Sequence, residues 1–367
     1  MRPMPSTVRF LRQYLRPARD GVRAVETTYL RRGVELPATL FRPRDDRRLP
    51  GWIVLHGLTM TGRQHPALVR FVRSIAAGGN AVLVPEIPEW RELHVAPELA
   101  GETIRAAVAS LHDHPGVDPE RVGLFGFSFG ATQALVAVAE PGVQALLRGI
   151  VAWGGFHDVH RLFTFGLTGE HALDGVEYRV KPDPYGAWVM MGNYLTAIPG
   201  YEEFGAVAAA LHELAREAGR RGFHAWDPVY DASKVRLREG LRPAERELFD
   251  AVAPPAADAV DDSPAKRSLA LDLADAALRV DPLLDPQPHL HRLGVTTLVA
   301  HGHDDRLVPF SESIRLARSV PPGHLESCTI THLFAHSGGT DRSLGPLRLV
   351  RESARFVHVL HRILHLL

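Results

Sequence analysis

The chain has a single cysteine, Cys328, so no disulfide can close within it. That fits a reducing compartment, and we expect a cytoplasmic location. Lysine is almost as scarce: Lys181, Lys234 and Lys266 stand among 42 basic residues. We read this scarcity as compositional bias of the genome rather than function. Acidic and basic side chains balance at 42 each, and a formal net charge of zero gives no reason to expect nucleic acid or another polyanion as partner. No apolar run reaches the length of a transmembrane helix, so no integral membrane segment is expected. Residues 1–20 lack the uninterrupted apolar stretch of a signal peptide. Dinucleotide fingerprints, P-loops and His-Glu-x-x-His motifs are missing as well, and no cofactor is expected. There is no internal repeat and no low-complexity tract.

Histidine is plentiful, with twenty copies. His358, His361 and His365 recur at helical spacing, and His289 lies near His291. No cysteine cluster or glutamate motif accompanies them, so they read as solvent-facing side chains and no metal is expected. Near the start, Val8, Phe10, Leu11, Tyr14 and Leu15 would share one helix face with Arg9, Arg12 and Arg16 opposite. A basic amphipathic helix can lie on a membrane surface. An arm packed on the protein's own body is the simpler expectation.

Hydrophobic content of 45% and charged content of 23% are ordinary for a globular chain. At 367 residues there is ample length for a large core. Two strands, 24–31 and 34–42, are expected to form a hairpin across Arg32-Gly33. Short continuous apolar runs at 52–55, 81–84, 122–127 and 149–153 read as strands buried on both faces. Helical spacing at 67–77 and 97–114 separates them. This alternation predicts a mostly parallel sheet with right-handed crossovers. It stops after residue 158. Helical stretches follow at 185–197, 205–221, 243–252 and 264–280, with linkers at 254–262 and 281–289. Strand patterns resume at 295–299 and 325–334, and a helix over 347–366 closes the chain.

Gly126-Phe127-Ser128-Phe129-Gly130 joins one of these buried strands to a helix-compatible segment, 131–140. A sharp strand-to-helix turn strains the central residue and lifts its hydroxyl above the sheet. The glycines allow strand and helix backbones to approach closely. Ser128 is therefore the candidate nucleophile.

With that turn in that context, the chain resembles the α/β-hydrolase superfamily over roughly 22–158 and 294–365. The resemblance implies an α/β fold with a mostly parallel central sheet flanked by helices. The expected layout is an N-terminal arm over 1–20, a core over 21–158 and 292–367, and an inserted helical cap over 159–291. It also implies a chain order of nucleophile, acid and histidine. His301-Gly302-His303-Asp304-Asp305-Arg306-Leu307-Val308-Pro309 matches a common pattern of the family, with Asp305 in register as the acid. Asp304 beside it and Asp158, which follows strand 149–153, remain alternatives. His336 precedes Ser337-Gly338-Gly339 after the last strand and is the expected base. His332, inside the apolar run, is the alternative. The oxyanion hole would use the N–H groups of Phe129 and of Leu58, which follows His56-Gly57. Trp188 and Met191 belong to an apolar cap stretch that also holds Tyr185 and Tyr194. These residues would either contact substrate or form the cap's own core.

The expected activity is cleavage of a carboxylic ester through an acyl-enzyme intermediate. The substrate would be a small molecule with an apolar acyl or aromatic part. An amidase or peptidase, an acyltransferase and a carbon–carbon bond hydrolase share the same triad. A ligand-binding member without catalysis is the reading from another class.

Overall fold

The computed structural model describes residues 6–17, 21–44, 47–222, 224–258, 264–333 and 345–367. Its strands are β1 (Val22–Arg31), β2 (Val34–Pro43), β3 (Leu49–Leu55), β4 (Ala81–Pro85), β5 (Val117–Phe127), β6 (Gly149–Trp153), β7 (Glu170–Leu173), β8 (Val176–Arg179), β9 (Thr296–Gly302) and β10 (Leu325–Thr331). Eight of them form one sheet in the order β1-β2-β4-β3-β5-β6-β9-β10. The first two pair antiparallel with one another, and β2 runs antiparallel to β4. From β4 to β10 all neighbours are parallel. A hairpin can reverse direction in two residues, whereas parallel neighbours need a crossover. That is why the antiparallel part is confined to the β1–β2 edge. The turn there holds Arg32 and Gly33 at φ of +52° and +78°, the left-handed pair that suits a two-residue hairpin.

Both faces of the sheet are covered, so the central strands read as unbroken apolar runs. Ile53, Leu55, Leu124 and Ile150 face one core; Trp52, Val54, Phe125 and Val151 face the other. On the second face Phe71, Phe125, Phe127 and Trp153 form an aromatic cluster at centroid spacings of 4.5–6.3 Å. The helix Ser6–Leu15 docks here through Phe10, which is fully buried and edge-on to Phe71. Arg9 ties it down by donating to the carbonyls of Ala77 and Gly78 at 3.1 and 2.7 Å. Phe10, Leu11 and Tyr14 pack inward while Val8 and Leu15 are exposed, so the arm rests on the protein's own body.

Between β6 and β9 no strand joins the large sheet. The helices Pro184–Tyr194, Gly205–Arg221, Pro243–Val252 and Pro264–Val280 lie where the apolar spacing predicts them. Three further helices, Val159–Thr168, Asp231–Glu239 and the single turn Gln287–Leu290, were not anticipated. The first holds the β-branched Val159, Thr164 and Thr168 and one glycine, Gly166, which weaken its helical signal. It is stabilised at its ends. The Asp158 carboxylate accepts the Arg161 N–H at 2.7 Å, and Gly169 closes the helix in the left-handed conformation. The β7–β8 hairpin was also missed. Its Asp174-Gly175 turn, with both residues at positive φ, was the legible signal. Cys328 sits in β10, on the sheet edge, and is exposed. Among the described residues no helix is long and apolar enough to cross a membrane.

Candidate active site

Ser128 follows β5 directly and caps the helix Phe129–Val138 with φ +56° and ψ −127°. This is a left-handed region that side chains avoid. The flanking glycines are sterically required. A β-carbon on Gly126 would lie 2.5 Å from Ala131 Cα, and one on Gly130 would lie 2.5 Å from the His56 carbonyl oxygen. The Ser128 N–H donates to Trp153 O at 2.8 Å, anchoring the turn to β6. Ser128 itself is half-buried.

The loop after β3 runs alongside. A β-carbon on Gly57 would stand 3.1 Å from Ser128 Cβ and 3.5 Å from its Oγ, so Gly57 lets backbone approach the hydroxyl. Leu58 follows it. Phe129 begins its helix, where the first N–H groups have no partner within the helix. Leu58, next to Gly57, and Phe129, next to Ser128, therefore come to the serine on two different elements. Phe129's ring packs edge-on against the buried Trp90 at 5.0 Å.

Three contacts brace that loop. Buried His56 accepts the Ile87 N–H on Nε2 at 3.1 Å and donates from Nδ1 to Gly57 O at 2.8 Å, making it a structural tether. Glu86 lies beneath, against Arg63 and His56. Burial alone would raise the Glu86 carboxyl; the His56 and Arg63 contacts outweigh it and hold the group below its ordinary range. From the segment between β6 and β9, the Tyr185 hydroxyl donates to Leu58 O at 3.0 Å. Burial, with Asp183 adding to it, pushes the Tyr185 phenol up, so it remains a donor. Tyr185 belonged to the aromatic stretch noted in the sequence, but nothing local ties it to Leu58.

Asp305 stands on the loop after β9 and is almost fully buried. Its Oδ1 accepts the N–H groups of Leu307 and Val308 at 2.9 and 3.0 Å, and its Oδ2 lies 3.4 Å from His301 Nε2. His336, the expected base, lies outside the described residues. The alternative base His332 points Nδ1 at Asp304 Oδ2, 3.0 Å away, and His303 Nδ1 takes the other Asp304 oxygen at 2.9 Å. Burial would raise the Asp304 carboxyl, but these two bonds hold it low. His303, Asp304 and His332 are the one group among the described residues with three ligand atoms within 4.8 Å of each other. Among the described residues no hydrogen bond links His332 or Asp304 to Ser128. The alternative acid Asp158 is engaged at both oxygens, by the Arg161 N–H and by Gln287 Nε2 at 2.7 Å each. It acts there as a helix cap.

Trp188 and Met191 have no exposed surface, and the Trp188 indole N–H donates to Val252 O at 2.9 Å. Both sit in the packing of their own region, and direct contact with a substrate would need that region to open. Apolar density in the sequence does not reveal which helix face turns outward. The side of the helix Pro184–Tyr194 that meets the loops after β3 and β9 carries Tyr185 and Gly186, the latter against Leu307.

No protein-family model matches the chain. A Bacillus subtilis (strain 168) protein, the uncharacterized peptidase YtmA, is 29% identical over 143 residues, which is 38% of this chain and 53% of that one. The chain thus spans about half the length of this curated relative. Among solved structures, esterase Est22 matches with a TM-score of 0.50 at 15% identity, over 94% of this chain and 81% of the other. The hypothetical protein PA2218 from Pseudomonas aeruginosa matches with a TM-score of 0.50 at 16% identity, over 94% and 95% of the two chains. At these identities the likeness is one of fold.

Proposed function

We propose that the chain, which has the α/β-hydrolase fold, is a serine hydrolase cleaving a carboxylic ester. In this reading Ser128 attacks the acyl carbon and His336 takes its proton. Asp305 orients the imidazole and stabilises its charged form. The N–H groups of Leu58 and Phe129 receive the developing oxyanion, a contribution worth several kcal/mol when donors are preorganised. His336 then returns the proton to the leaving group, and water releases the acid in a second, mirrored step. The region over 159–291 would act as the cap that selects the substrate, a small molecule with an apolar acyl or aromatic part.

The observation that carries this reading is the backbone of Ser128. A non-glycine residue at φ +56°, with glycines forced by contact on both sides, stores strain at one hydroxyl. Purely structural serines have no need of it. A peptidase or amidase on the same triad is the second reading, favoured by the sequence likeness to a protein named a peptidase.

Fluorophosphonate labelling tests the chemistry: wild type should be modified, and Ser128→Ala should not. Equal labelling of both proteins would sink the nucleophile assignment. A panel of p-nitrophenyl esters of rising acyl length, run beside aminoacyl p-nitroanilides, separates the two readings. Turnover of the anilides alone would replace the ester by the amide.

A further inference from the structure

β9 and β10 run parallel with Thr331 opposite Gly302, so the residues that follow each strand, His303 and His332, leave the sheet side by side. The His303 N–H donates to Thr331 O at 2.8 Å and holds the two exits together. The imidazole centroids lie 4.1 Å apart, with the rings inclined by 33°. Both rings direct Nδ1 at one carboxylate. Asp304 Oδ1 is 2.9 Å from His303 and Oδ2 is 3.0 Å from His332. Two ring nitrogens and a carboxylate, delivered by two strand ends, thus meet at one place.

The rings are positioned by contacts that do not use Nδ1. His303 stacks on Phe310 at 4.7 Å and 16°. The His332 backbone N–H donates to Glu352 Oε2 at 3.0 Å, and Glu352 is a buried residue of the helix Pro346–Leu364. Donor atoms held from behind in this way are what a metal site requires. The spacing fits as well. Metal–ligand bonds of about 2.0–2.2 Å place neighbouring donors about 2.9–3.5 Å apart. The two nitrogen–oxygen distances stand at the short end of that range. Side-chain exposures of 39% at His303 and Asp304 and 20% at His332 leave the group within reach of an ion from solvent. Imidazole nitrogens favour zinc and its transition-metal neighbours over magnesium and calcium, which prefer oxygen alone.

We propose that His303, Asp304 and His332 form a binding site for a divalent transition-metal ion of the zinc class. Each ring coordinates through Nδ1 with its proton on Nε2, and Asp304 supplies carboxylate oxygen. The ion replaces the two hydrogen bonds and joins the loop after β9 to the end of β10. Asp305 is the next residue on that loop, and His336 lies four positions beyond His332 in the chain. Binding itself does not depend on the serine chemistry.

The test uses the full chain, dialysed against EDTA, with zinc chloride as probe in calorimetry and thermal melts. One zinc ion per chain and a raised melting midpoint are expected. His303→Ala, Asp304→Asn and His332→Ala should each weaken binding at least tenfold. Circular dichroism checks the fold of each variant, and Asp304→Asn, at a partly exposed position, is the mildest change. Cobalt in place of zinc should give a visible absorption band in the wild type that Asp304→Asn loses. The competing site is the helical pair His361 and His365, whose ring centroids are also 4.1 Å apart; His365→Gln should bind zinc as the wild type does. Absence of saturable zinc binding would overturn the proposal, as would unchanged affinity in the three folded variants or loss of binding in His365→Gln. An equal response to magnesium would overturn the assignment to an imidazole-bound metal.

Discussion

Replacing Ser128 by glycine should make the protein more stable and inactive at once. The wild-type residue holds φ +56° and ψ −127°. For a residue with a β-carbon such a conformation costs about 1–3 kcal/mol. Glycine adopts it without that cost, but loses more chain entropy on folding, about 0.5–1 kcal/mol. The strain term is the larger, so a net gain of about 0.5–2 kcal/mol is expected. For a chain of this size, 1 kcal/mol corresponds to about 2 °C in melting midpoint. Ser128→Ala is the control. It removes the hydroxyl but keeps the β-carbon and the strain, so it should be inactive with a midpoint close to wild type. Urea titration and thermal melts of the three proteins in one buffer, with ester turnover alongside, measure both effects. A Ser128→Gly protein that melts at or below Ser128→Ala would mean that no strain is stored at the turn. The main reason for reading Ser128 as a nucleophile would then be gone.

Tyr185→Phe removes the bond to Leu58 O, worth about 1 kcal/mol. If that bond positions the oxyanion loop, kcat should fall about fivefold with KM nearly unchanged; unchanged kcat would make Tyr185 merely a packing residue. His336→Ala and Asp305→Asn should each be folded and almost inactive, with losses approaching the roughly 10⁴ known for an orienting aspartate. Under the same assay His332→Ala, Asp304→Asn and Asp158→Asn should keep most activity, and a dead Asp158→Asn beside an active Asp305→Asn would move the acid to the loop after β6. Burial, helped by Arg161 at His157 and by Arg315 at His171, lowers both imidazoles to about 4. Unfolded histidine titrates near about 6.5, so the unfolded chain binds more protons between these values. The stability tied to the neutral rings is complete above about pH 6.5 and lost as pH falls toward 4. Urea midpoints at pH 7.5, 6 and 5 should show this decline, and a His157→Gln, His171→Gln double variant should flatten it.

What the sequence determined on its own is local. Buried strands such as β3, β4 and β6 were legible because an apolar run covered on both faces needs no knowledge of its neighbours. The helices at Gly205–Arg221, Pro243–Val252 and Pro264–Val280 were legible to the residue, since their spacing and end signals lie within a few positions of each other. The nucleophile turn was legible for the same reason: its strain and its two glycines belong to five consecutive residues. The tertiary structure decided everything that depends on which face meets which. Apolar density around Trp188 and Met191 gave no hint that both would be sealed inside. Asp158, Asp304 and Asp305 look alike in sequence, yet one caps a helix, one bridges two histidines, and one is held by two backbone N–H groups of its own loop. Tyr185 reaches Leu58 across 127 positions of chain. Hydrogen bonds and charges act over a few ångströms of space, and only the folded chain fixes which residues come that close.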